Sequence, residues 1–310
     1  MMTSFRPLLI CALAVFFGTV LDALVKAIAS DLAVVTLTAW RFLFGAIIIL
    51  TVYILRGGAL PTRKALRFHG MRGIIHAIAV LTFFGALSIL PLAMVTVLGF
   101  TAALMVGPVA RVILKEPLKR IHIAAALIGF AGVALTATGF SGEGIDPRTR
   151  LLGVGLVMVS AVTYATTVVL IRLSARSDNA LTIVMFSNVV PGIVIWSVLL
   201  GMAVFSPQGA VIWPGWAEIP GLVLLAVIGV MVWLLMTYAY GNAPAARLAP
   251  LEYTALIWSG LLGALFFAEV PGWRLYAGAF IIIGACLLVA LEDKFLHRRA
   301  AKVPVSDILE

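Results

Sequence analysis

Pro91–Glu116 reads PLAMVTVLGFTAALMVGPVARVILKE, and Pro244–Glu269 reads PAARLAPLEYTALIWSGLLGALFFAE. Laid over one another without a gap, at an offset of 153 residues, they agree at Pro91/Pro244, Ala93/Ala246, Leu98/Leu251, Thr101/Thr254, Ala102/Ala255, Gly107/Gly260 and Glu116/Glu269. Each stretch is an apolar span closed by a carboxylate and followed by one more apolar span. Working outward from them, each half of the chain contains five spans. An odd number of crossings per copy turns the second copy upside down in the bilayer, and inverted repeats of this kind are an architecture of secondary transporters.

Composition identifies the solvent. Hydrophobic residues make up 63% of the chain and charged residues 11%, and mean hydropathy is +1.15. A soluble domain is about half apolar and a quarter charged, so a soluble fold of this length would leave much Leu, Ile, Val and Phe facing water. Apolar blocks long enough to cross about 30 Å of hydrocarbon fall at 7–28, 34–55, 73–89, 92–114, 121–139, 152–172, 180–201, 218–240, 246–267 and 272–292. They are continuously apolar instead of alternating with period two, which selects helices over a β-barrel. The expected fold is therefore an all-α polytopic membrane protein of ten transmembrane helices, arranged as two inverted five-helix repeats.

Charge orients it. With a cytoplasmic N-terminus, fifteen Lys and Arg fall on the cytoplasmic side: Arg6, Arg56, Arg63, Lys64, Arg67, Arg72, Lys115, Lys119, Arg120, Arg172, Arg176, Lys294, Arg298, Arg299 and Lys302. Four (Lys26, Arg148, Arg150 and Arg274) fall on the other, and Arg41, Arg111 and Arg247 lie within or beside spans. The positive-inside rule then places both termini in the cytoplasm. It also accounts for the net charge of +9 without a nucleic-acid partner, for which a basic groove with interleaved aromatics is missing.

The expected domains are a first repeat at 1–140, a linker at 141–151, a second repeat at 152–292 and a cytoplasmic tail at 293–310. Ser141, Gly142, Gly144, Asp146 and Pro147 make the linker the most turn-rich interior stretch. The apolar run that follows Arg6 continues past Asp22 to Ile28, longer than a signal peptide's core, so it is expected to be a retained first helix. Cys11 and Cys286 both fall in apolar spans and read as packing residues, with no disulfide or metal site implied.

Trp40-Arg41-Phe42 in the second span, Lys115-Glu116-Pro117 after the fourth, Gly129-Phe130-Ala131-Gly132-Val133 in the fifth, Leu251-Glu252 in the ninth, Ala268-Glu269 after it, and Gly278 and Gly284 in the tenth form a recognisable set. On these residues the chain resembles the drug/metabolite transporter superfamily, and within it the EamA-type members with two five-helix repeats. The resemblance covers essentially the whole chain. It is similar, further, to the YddG-like exporters of aromatic and other neutral amino acids, which implies export of such substrates across the plasma membrane, the inner membrane if the cell is bacterial. The chain departs from the pattern at Phe17-Gly18-Thr19, where many members have Trp-Gly, and at Tyr253, where Pro often follows the Glu.

A charge in hydrocarbon is costly and is normally paired or wet. Asp22 and Lys26, four apart, share a helix face, and Arg41 lies at a depth similar to Asp22. One reading is an ion pair locking the first two helices, or Arg41 reaching the interface. The other is an outer gate or a partner for a substrate carboxylate. His76, Arg247 and Glu252 fall at comparable depth on the inner side. Glu252 either pairs with Arg247 or a helix end, or contacts a substrate ammonium or proton. Glu116 and Glu269 are expected to satisfy the start of the helix that follows each.

Phe83, Phe100, Thr101, Tyr164, Asn188, Trp233, Tyr253 and Trp258 lie near mid-membrane, with Tyr238 lower down. Singly, each reads as packing or lipid contact. As a set they make an apolar-walled pocket with few hydrogen-bonding groups, suited to a neutral or aromatic amino acid or an amphipathic drug. Of the cationic residues only Arg41 is expected deep in the membrane, which argues against phosphorylated substrates. The chain has no His-Glu-x-x-His, Gly-x-Ser-x-Gly or Walker A sequence. No enzyme, cofactor or direct use of ATP is expected, and the partners are a small-molecule substrate and membrane lipids. The fifth and tenth helices, almost devoid of polar groups, are expected to stand outside the substrate site.

Overall fold

The structure, a computed structural model, describes residues 6–58, 61–115, 120–138, 146–174, 178–205, 213–242, 248 and 251–300. Among them are α1 (Arg6–Ile28), α2 (Val34–Leu55), α3 (Arg63–Leu87), α4 (Leu92–Gly99), α5 (Thr101–Leu114), α6 (Arg120–Thr138), α7 (Pro147–Ser174), α8 (Ala180–Phe205), α9 (Ile219–Asn242), α10 (Ala255–Phe267) and α11 (Trp273–Ala300). Helices α4 and α5 are two pieces of one span, so these helices make ten crossings. Among the described residues, eight spans have the length and hydropathy to cross a bilayer, and Ala255–Phe267 and Trp273–Leu288 are shorter apolar helices. This is a multi-pass, all-α membrane protein. Large apolar side chains such as Leu55, Phe205 and Phe280 lie on its outside, where lipid replaces water as solvent.

Local chemistry moves several expected boundaries. The third helix begins at Arg63, ten residues before the expected 73, because Thr62 caps it by accepting a hydrogen bond from Ala65 N at 3.2 Å. Its first turns carry Arg63, Lys64, Arg67, His69 and Arg72, which lower the hydropathy without interrupting the helix. The sixth span begins at Pro147, inside the expected linker. Asp146 Oδ2 accepts from Arg148 N and Thr149 N at 3.1 and 3.2 Å, and Pro147 takes the first helical position, where its missing N–H costs nothing. These residues start a helix instead of preventing one. The tenth span continues as helix to Ala300, past the expected start of the tail.

The packing is chiefly between the halves. Helix α1 lies along α9, and its counterpart α7 lies along α3; α2 lies on α9 as α8 lies on α3; α2 packs on α8, and α6 on α11. Each pairing is its own mirror or has one, as a two-fold axis in the membrane plane requires. The halves interdigitate and are not separate five-helix bundles. The α6–α11 seam is especially close: a Cβ added at Gly278 would lie 2.8 Å from Gly132 O, and one at Gly132 would lie 3.0 Å from Gly278 O. Small residues let membrane helices approach to backbone contact.

Candidate functional site

Over their described residues, 91–115 and 251–269, the two repeat stretches fold alike at equivalent positions. The fourth span breaks between α4 and α5 at Phe100, and the ninth breaks in a turn at Tyr253-Thr254, just before α10. Ala103 N bonds Phe100 O at 3.1 Å, and Leu256 N bonds Tyr253 O at 3.2 Å. These i to i−3 bonds tighten the chain at equivalent positions. Thr101 Oγ1 donates to Leu98 O and Thr254 Oγ1 to Leu251 O, each at 2.6 Å. Lys115 (φ 56°) and Ala268 (φ 53°) are the described non-glycine residues with positive φ. They too are repeat equivalents, each ending its span just before the carboxylate. At the breaks, the rings of Phe100 and Tyr253 meet edge to face with centroids 5.3 Å apart, so the repeat meets itself there.

Around this crossing the structure sorts the candidates. Glu252 accepts a hydrogen bond from Tyr240 Oη and interacts electrostatically with Tyr164, which keeps 42% exposure. Tyr240 was not among the sequence candidates. Tyr238, which was, sits two residues earlier on α9 and so on another face; it lines an apolar surface groove of about 470 Å³ with Ile10, Ile48, Met231 and Leu234. Arg247, considered as Glu252's partner, lies outside the described residues, as does Glu116. Trp258 packs edge to face on Phe16 at 5.0 Å. Phe83 is half-buried against the main core. Thr101 is buried, its hydroxyl committed to the helix break.

A second group gathers where α2, α3, α8 and α9 meet. His76 is buried near the middle of α3, edge to face with Phe42 at 6.3 Å and with Trp233 at 5.7 Å. It interacts electrostatically with Arg41 and Arg72, so its neighbours are these arginines more than Glu252. Asn188 is buried on α8; its Nδ2 donates to Val184 O at 3.0 Å and its Oδ1 lies over Gly45. Arg41 interacts electrostatically with Asp22. Among the described residues, however, the ion pairs within 4 Å are Lys26–Glu269 and His69–Asp178. A direct Asp22–Arg41 lock is therefore not formed.

Those two ion pairs lie at opposite ends of the helices, and each ties one half to the other. At the end where α4 begins, Lys26 Nζ pairs with Glu269 Oε1 at 3.0 Å and donates to Leu90 O at 2.6 Å and Leu87 O at 3.3 Å. Glu269 Oε2 accepts from Leu92 N at 2.8 Å. Glu269 thus caps α4, in the other half, and not the following helix as expected. Lys26 is committed to this clamp. At the end where α7 stops, Arg72 is 1% exposed. It donates to Ser187 Oγ at 2.9 Å and Ile183 O at 3.1 Å, and contacts His69 Nδ1 at 3.2 Å. With Nδ1 accepting from Arg72, His69 Nε2 carries the hydrogen given to Asp178 Oδ2 at 3.0 Å. Placing the start of the third span at 73 left Arg72 in a connecting segment, whereas it lies on α3 and is buried among protein groups. The Thr62 cap is the signal that would have found it.

Among the described residues no group of three or more His, Cys, Asp or Glu is placed to hold a metal ion, and Cys11 and Cys286 are buried free thiols. The chain is 27% identical to an uncharacterized transporter of Helicobacter pylori, over 89% of this chain and 91% of that one. It is 23% identical to an S-adenosylmethionine uptake transporter of Rickettsia bellii, over 88% and 89% respectively. It is 26% identical to the pseudopaline exporter CntI of Pseudomonas aeruginosa, over 92% and 96%. A solved crystal structure with 21% identity superposes with a TM-score of 0.60, covering 90% of this chain and 97% of that one, which shows a shared fold. The model of the EamA-like transporter family matches residues 5–138 and again 151–291, the same two halves that the repeat defines. This protein, a transporter and not an enzyme, belongs to the EamA-like transporter family.

Proposed function

We propose that the chain is an alternating-access carrier that exports neutral or aromatic amino acids, or small metabolites built on them, with both termini in the cytoplasm. The observation that carries this reading is the pair of spans broken at repeat-equivalent residues, with Phe100 and Tyr253 meeting where they break. Discontinuous helices at a repeat interface are where carriers hold substrate. His76, Phe83, Phe100, Tyr164, Trp233, Tyr253 and Glu252 supply aromatic walls with a few polar groups, and Tyr240 joins them. The basic residues, fifteen on one side against four on the other, support the orientation. S-adenosylmethionine, named for the Rickettsia bellii relative, retains methionine's amino-acid end, so the substrate class is compatible with related proteins. Export as the direction, and amino acids as the cargo, follow the resemblance to YddG-like exporters.

Proteoliposomes test it. Saturable movement of Phe, Met or Ala, with mutual competition, is the expected result. Movement of cationic amphipathic dyes without amino acids would overturn the reading in favour of drug efflux, which the apolar groove along Ile10, Ile48, Val227 and Met231 supports as a second reading. Glu252 is assigned proton coupling: Glu252→Gln should abolish gradient-driven flux while sparing substrate exchange. Unchanged gradient-driven flux would remove that role.

A further inference from the structure

The two buried arginines differ in what they are committed to. Arg72 gives its terminal nitrogens to Ser187, Ile183 and His69. Arg41 is 6% exposed; its Nε, like that of Arg72, has no hydrogen-bond partner among the described residues, but its terminal nitrogens have no protein acceptors there to match those of Arg72. It lies seven residues into α2, about 10 Å below the helix end at 1.5 Å per residue. Its guanidinium rests 4.3 Å from the Phe42 ring centroid and 5.8 Å from that of Phe84. On the α9 side it fills the space that a Cβ at Gly229 would occupy. Asp22 acts on it electrostatically but not from within ion-pair distance. His76, 3% exposed, edges onto the same Phe42 ring, and its Nδ1 also lacks a partner among the described residues.

Resting on the reading of the protein as an amino-acid carrier, we propose that Arg41 and His76 form the subsite that takes the substrate's carboxylate. An unpaired guanidinium in a low-dielectric seam is costly, and among the described residues this one has no carboxylate within ion-pair distance. A carboxylate is the ligand that fits: its two oxygens match the planar fork of a guanidinium, and a third hydrogen bond is available from the imidazole. Phe42, Phe84 and Trp233 exclude competing water and flank the substrate beyond its carboxylate. The glycine at 229 leaves the guanidinium room to tilt toward a ligand. Lys26 and Arg72 do not compete for this role, because both are bound to protein acceptors.

The experiment uses the full-length protein, purified and reconstituted. Protection against thermal unfolding is measured for acetate, 3-phenylpropionate, phenylalanine, phenethylamine and chloride at constant ionic strength, alongside phenylalanine transport. Wild type should be protected by the three carboxylates and not by phenethylamine or chloride. Arg41→Gln should weaken carboxylate protection by about tenfold or more, and Arg41→Lys by less, since it keeps the charge and loses the fork. His76→Asn provides a second variant should Arg41→Gln fail to fold, with a loss of several-fold. Protection by chloride equal to that by acetate would overturn the carboxylate assignment in favour of a general anion site. Absence of protection by every carboxylate would overturn the subsite outright. Arg41-dependent protection by acetate without phenylalanine transport would keep the subsite and remove the amino-acid reading. Phenylalanine transport with KM unchanged in both Arg41→Gln and His76→Asn would do the reverse.

Discussion

The clamps at the two ends of the helices join the same two halves by opposite means. At the Leu92 end a full ion pair does the joining, and one carboxylate serves both the Lys26 ammonium and the orphan N–H at the start of α4. At the Asp178 end an arginine with almost no exposure is spread over a hydroxyl, a carbonyl and an imidazole, and the only carboxylate lies at the rim. The first clamp depends on a single residue, and its ions keep 15% and 12% exposure. The second distributes its load over three acceptors, so no single one of them carries it. The first should therefore be the easier to disable by one substitution and the second the harder.

Glu269→Ala is expected to have the largest effect, about 3 kcal/mol of lost stability, because it strands a half-buried ammonium and uncaps a helix together. The melting temperature of the purified protein measures it. Glu269→Gln sharpens the point: it keeps an acceptor for Leu92 N and loses the charge, so about half that loss should remain. Arg72→Met, which fills the space but takes the donor from Ser187 Oγ and His69 Nδ1 and leaves Ile183 O to Ser187 Oγ alone, should cost about 2 kcal/mol. If it costs more than Glu269→Ala, the contrast drawn here is wrong. Combined with Glu269→Ala it should be additive to within about 0.5 kcal/mol, as expected for sites far apart. Smallest of all, Asp178→Asn should cost no more than about 1 kcal/mol, since its carboxylate sits at a partly exposed rim. A separate cycle of Phe100→Ala and Tyr253→Ala should return a coupling of about 1 kcal/mol, tying the repeat's meeting point to direct ring contact.

Much of this was legible in the chain itself. Ten spans follow from hydropathy, and the inverted halves follow from the 153-residue repeat, which the structure repeats in the breaks at Phe100 and Tyr253 and in the positive φ of Lys115 and Ala268. Hydropathy failed where polar residues start helices: Thr62 and Asp146 cap helices that the apolar count began five to ten residues later. That error hid Arg72 and His69 in a presumed loop. Pairings across the halves were illegible for a different reason. Lys26 and Glu269 are brought together only by the packing of α1, α4 and α10, and no local spacing encodes that. Tyr240 was missed because Tyr238 and Tyr240 are alike in hydropathy, and only the rotation of α9 decides which of them meets Glu252.

The contact between Gly132 and Gly278 has a mechanical consequence. With Thr136 packed over Gly278 and Ile282 over Gly132, the two backbones meet with no slack in which to part. Any seesaw of one half against the other would find its fulcrum along α6 and α11, so a single methyl group at Gly278, on a helix that carries none of the residues proposed to face the cargo, should slow turnover more than it weakens affinity.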